Sequence, residues 1–193
     1  VTCVKATSDR FAYAYRALLL EFLMPNLVWS ADIELDMPVM DDTHREFVDL
    51  LGVTEAADDG SLLTRWAALI AHTEAHFGRE DAWMQATHFA ASNCHSAQHD
   101  MVLKTMRAGL HYGEAGHLAL VRQMVHELGP WFVQHAQSMD AALATHLERV
   151  GFDPVTGTIN RPDALPHEQI HGCGGATCAD TAADTPALHA AAH

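Results

Sequence analysis

His76 and Glu80, in the run HFGRE, stand four residues apart, so on a helix they share one face and can reach one metal ion together. The spacing returns at His95 and His99 in HSAQH, and a looser pair, His135 and Asp140, follows in HAQSMD. His44 lies upstream, in DDTHREF. These are five imidazoles and two carboxylates from four separated segments. A structural zinc closes at four ligands, and a catalytic zinc usually takes three from the protein. Seven ligands therefore ask for two metals, and imidazole with carboxylate suits borderline first-row ions.

Four segments need four rods to carry them. A helix over about 41–57 puts Met40, His44, Phe47 and Leu51 on one stripe, and the DDG turn after it leads to Ser61, placed to cap the next helix. There Leu62, Trp66, Leu69, Thr73, His76, Glu80 and Trp83 alternate steps of four and three, the seam of a bundle helix. A third helix, over about 91–112, aligns His95, His99, Val102, Met106 and Leu110. A fourth, over about 117–150, turns Leu118, Val121, Val125, Leu128, Phe132, His135, Met139 and Ala142 inward, with Pro130 expected to kink it.

The predicted fold is all-α: an up-down-up-down four-helix bundle with an irregular N-terminal arm and a flexible C-terminal tail. In that topology the candidate ligands must sit near the start of the first helix, late in the second, early in the third and late in the fourth to share a layer, and they do. The weak joint is His135 with Asp140. Five residues leave them about 140° apart on an ideal helix, so a bulge, the kink or a reaching carboxylate must close the gap.

Composition narrows the function. A chain of 193 residues, 49% apolar, can bury one good core. Its net charge of −14 repels nucleic acid and anionic lipid, and no apolar run approaches the ~18 residues of a spanning helix. Four scattered cysteines do not form a secreted disulfide framework, so a reducing cytoplasm is expected. Residues 1–25 read as an N-terminal extension outside the native chain, 26–152 as the bundle, and 153–193 as a low-complexity tail containing His and Cys. In the tail HEQIH, at 167–171, has the letters of a zinc-protease motif, but Pro166 and the glycines after it leave no long helix to carry it. Cys173 and Cys178 have an unspecific spacing.

With these residues in place, the chain resembles the hemerythrin family, most closely its single-domain bacterial members. The resemblance covers roughly residues 26–150 and rests on WS at 29–30, DxxH at 41–44, HFxxE at 76–80, HxxxH at 95–99 and HxxxxD at 135–140. It implies a non-haem di-iron centre with an oxygen bridge that binds dioxygen reversibly for storage, delivery or sensing, rather than an enzyme. It further implies that His44 and His76 hold the iron with the vacancy, that His95, His99 and His135 hold the saturated one, and that Glu80 and Asp140 bridge them. The sequence departs from the usual pattern at Asp81, where a second Glu is common, and at Gly129-Pro130. Neither departure is expected to touch a ligand.

Two other classes stay open: a hemerythrin-like di-iron enzyme acting on peroxide or nitric oxide, and a metal-buffering bundle. A ferritin-type di-iron enzyme is disfavoured, because ExxH occurs only at 114–117 and 168–171, in glycine-bordered segments. Among the remaining histidines, His88, His111, His117, His126 and His146 read as surface or loop residues. His72, one turn before His76, reads as solvated or as a support behind a ligand.

Overall fold

A computed structural model of the chain describes residues 27–89 and 94–168. The N-terminal extension, most of HEQIH, and Cys173 and Cys178 lie outside the described residues. Four helical rods form the body: α1 (Pro38–Glu55), α2 (Leu62–Ala86), α3 (Cys94–Glu114), and a fourth rod made of α4 (Leu118–His135), a π turn (Ala136–Asp140) and α5 (Ala141–Val150). Each rod packs on the next and α4 packs back on α1, closing an all-α four-helix bundle. No described helix is long and apolar enough to cross a membrane.

The stripes read from the sequence face inward through the first three rods and α4. Two details at the helix ends differ. Ser61 makes no side-chain cap on α2; instead the Asp58 carboxylate accepts from the Ser61 amide at 2.8 Å and from its hydroxyl. The fourth rod continues through Pro130 without a break, and its irregularity falls at 136–140 instead. That π turn accommodates one extra residue, so every inward position after it moves on by one. Asp140, Leu143, Ala144 and Leu147 are buried, while Met139 and Ala142 of the expected stripe are only partly so.

The core has two apolar blocks with a polar layer between them. One contains Phe47, Leu51, Leu62, Trp66, Leu69, Met106, Val121, Val125 and Phe132. Where α3 meets its neighbours Gly113 allows close packing, because a Cβ there would sit 3.0 Å from Val121 and the Leu63 side chain would have to move. The other block contains Met40, Trp83, Met84, Phe89, Leu143, Leu147 and Phe152. Residues from the stretch expected to be tail also belong here: Ile159, Ala164 and Leu165 pack on this block, and Arg161 donates to the Glu148 carbonyl. Gly151, in the left-handed region at φ 62°, turns the chain back over the end of α5.

Candidate metal centre

Between the two blocks α1 contributes His44, α2 His76 and Glu80, α3 His95 and His99, α4 His135, and the π turn Asp140. All seven are buried, none more than 2% exposed. Their polar ends form two groups that share both carboxylates: His44 and His76 with Glu80 and Asp140, and His95, His99 and His135 with the same pair.

The carboxylates divide their oxygens between the groups. Glu80 Oε1 lies 2.9 Å from His76 Nε2, and Asp140 Oδ2 lies 3.3 Å from His44 Nε2. On the other side Glu80 Oε2 is 3.4 Å from His95 Nε2 and 3.3 Å from His99 Nε2. Asp140 Oδ1 is 3.0 Å from His95 Nε2 and 3.2 Å from His135 Nε2. In every imidazole the Nε2 atom faces the centre.

Such a cluster is costly in an apolar core unless something compensates it. Burial pushes both carboxyls toward protonation, and repulsion from Asp140 adds to it at Glu80, but the surrounding imidazoles prevail and hold Glu80 and Asp140 well below the usual carboxylate range. Burial also opposes charge on His95, yet the facing Asp140 and Glu80 carboxylates raise it to about 9. Even so, His95 Nε2, His44 Nε2, Glu80 Oε2 and both Asp140 oxygens are buried without a hydrogen-bond partner. Inward-facing atoms that are buried, unsatisfied and of mixed nitrogen and carboxylate type suit cations.

Aromatic rings wall the layer. Phe77 stacks on His99 at 3.9 Å and Trp131 on His135 at 4.7 Å, while the edge of Phe132 meets His44 at 5.1 Å. Two polar groups reach the imidazoles from outside. Asp81 Oδ1 is 3.2 Å from His99 Nδ1, and Gln98 Oε1 is 3.1 Å from His135 Nδ1. Asp81 thus corrects the expectation that it touches none of these residues. Five residues beyond His76 on α2 it meets α3, a placement that the spacing to His99 alone did not reveal. Gln98 carried no signal at all.

The bystander histidines separate. His88, His111, His117 and His126 are exposed. His146 is buried at 4%, against expectation, where it packs beside Phe89; its Nε2–H donates to the Thr87 carbonyl at 3.0 Å and Arg149 donates to its Nδ1 at 2.9 Å. Among the described residues His72 makes no hydrogen bond to an imidazole. It donates to the Thr43 carbonyl at 3.2 Å, bracing α2 against α1 next to His44. Cys94, the first residue of α3, is disulfide-bonded, so the cysteines no longer argue for a reducing compartment.

Residues 36–147 match the family described as "Hemerythrin HHE cation binding domain". A curated relative, a bacteriohemerythrin of Ralstonia nicotianae, is 38% identical over 130 residues, spanning 67% of this chain and 95% of that protein. Among solved structures none matches. The match spans all seven clustered residues on their four rods, and the chain belongs to the hemerythrin family, as a metal-binding helical bundle.

Proposed function

We propose that this protein holds two iron ions in the buried layer and binds dioxygen reversibly, for storage, delivery or sensing. The observation that carries the reading is the division of the carboxylate oxygens, one from each of Glu80 and Asp140 toward each histidine group. Two carboxylates placed in this way suit bridging between two cations. In this assignment His44 and His76 hold one ion, His95, His99 and His135 the other, and Glu80 and Asp140 join them. Iron supplies the affinity for dioxygen and the change of redox state.

The chain's own part is to set coordination and exclude water. The two-histidine side has one imidazole fewer, so a vacancy for a small ligand falls there. Around it Phe47 and Phe132 stack at 4.3 Å, and Leu51 and Leu69 are fully buried. Packed rings beside one vacancy leave little room for an organic substrate, which favours reversible binding over oxygenation. The curated relative is named a bacteriohemerythrin, and the resemblance to that family supports the same reading.

Anaerobic titration of the reduced, iron-loaded protein with dioxygen tests it. One dioxygen taken up per chain and released under vacuum is the expected result. Steady consumption of dioxygen with excess reductant would replace this reading with an enzymatic one, and failure to take up iron would leave a buffering bundle.

A further inference from the structure

The protein supports the two halves of the layer differently. On the three-histidine side both Asp81 and Gln98 meet an imidazole Nδ1 through an oxygen, so each Nδ1 carries the proton and donates. That leaves the Nε2 lone pairs of His99 and His135 facing the centre. On the two-histidine side the Nδ1 atoms of His44 and His76 meet no such group among the described residues.

Asp81 is the only charged member of these supports, and it is itself held in place. Its Oδ1 accepts both from His99 and from Ser96 Oγ, the latter at 2.9 Å. Ser96 and His99 lie on α3 and Asp81 on α2, so the three make a clasp between helices. Phe77 fixes the face of the same imidazole and Asp81 its edge. The Asp81 side chain is 44% exposed, so its charge sits at the boundary between solvent and the buried layer.

We infer that Asp81 is a positioning residue for the metal on the three-histidine side: it orients His99 and strengthens it as a donor, and so lowers the reduction potential of the centre. The inference rests on the di-iron reading above. A carboxylate bonded to one imidazole nitrogen raises the basicity of the other. Greater donation, together with a nearby negative charge, favours the more highly charged metal. Gln98 orients His135 in the same way but adds no charge.

The test uses the full chain with iron(II), comparing wild type with Asp81→Asn, Asp81→Glu and Ser96→Ala. Asp81→Asn keeps the shape and an acceptor oxygen but removes the charge. It should bind iron(II) about 10–100-fold more weakly and show a higher midpoint potential, while Asp81→Glu returns both toward wild type. Ser96→Ala, which frees the carboxylate to move, should shift the potential upward by less. Wild type holding two irons beside an Asp81→Asn protein of unchanged potential and affinity would overturn the inference alone. A lowered melting temperature with an unchanged potential would leave Asp81 only a clasp between helices and also overturn it. Wild type that takes up no iron pair would overturn both the inference and the di-iron reading.

Discussion

His135 and Asp140 are five residues apart, yet His135 Nε2 and Asp140 Oδ1 lie 3.2 Å from each other, because the chain between them makes a π turn. A π turn closes i→i+5 bonds, so residues five apart come over one another instead of diverging. The same extra residue resets the inward face of α5. Inserting an alanine after Ser138, an exposed residue of the turn, should carry Asp140 round the rod by about 100° and away from the centre. The expected protein is helical by circular dichroism, melts earlier and has lost its metal. Wild-type metal content in the insertion variant would show that Asp140 is dispensable.

His95 lies within 3.4 Å of both Glu80 and Asp140, at the junction of the two groups. His95→Ala should therefore lose metal, whereas His111→Ala, at an exposed position, should retain it. His88 is a poorer control although exposed, because its Nδ1 meets the Pro166 carbonyl at 3.2 Å. Metal analysis of both purified variants decides the matter.

Phe132 stacks on Phe47 and meets His44 edge-on. Phe132→Ala should cost about 3–5 kcal/mol in urea unfolding and admit water to the two-histidine side. Faster loss of the oxygenated spectrum in air is expected. A variant equally stable and equally slow to oxidise would remove Phe132 from the barrier.

Much of this architecture was legible in the chain. The alternation of four and three from Leu62 to Trp83 can only place His76 and Glu80 on a buried seam, and the packing follows from that. The π turn was visible as a contradiction: His135 and Asp140 belong to one motif but not to one face of an α-helix. Its consequence for Met139 and Ala142 was missed, because a periodicity count assumes an unbroken helix. Asp81 was legible as a residue but not as a contact, since its partner lies on another helix and only the α2–α3 packing brings them together. The packing of Leu165 against the second apolar block was hidden by a Pro- and Gly-rich composition that resembles a tail.

His146 supplies a pH dependence independent of the metal. Burial and the facing Arg149 guanidinium lower its proton affinity, and the Thr87 carbonyl only partly offsets them. With the folded pKa below the unfolded value of about 6.5, the unfolded chain binds more protons at mildly acid pH. This contribution is therefore fully present above about 6.5 and is lost as pH falls through the folded pKa. Urea midpoints at pH 7.5 and 5.5 should converge in His146→Gln relative to wild type. An identical pH response in both proteins would discard His146 as the cause.

The C-terminal stretch divides in two. Removing residues 169–193 should leave metal content unchanged, since every clustered His, Glu and Asp lies upstream. Removing 160–193 also deletes Arg161, Ala164 and Leu165, which bind or cover the end of the bundle, and should lower the melting temperature. Equal stability of the two truncations would show that these contacts contribute nothing.

Anaerobic titration of the metal-free protein with iron(II), followed by iron and zinc analysis of the desalted product, tests the two-metal assignment most directly. The shared carboxylates and the two histidine groups lead to two irons per chain, with His44→Ala and His99→Ala each disturbing the pair. Saturation at a single metal ion per chain, or a single zinc retained with iron excluded, would contradict it.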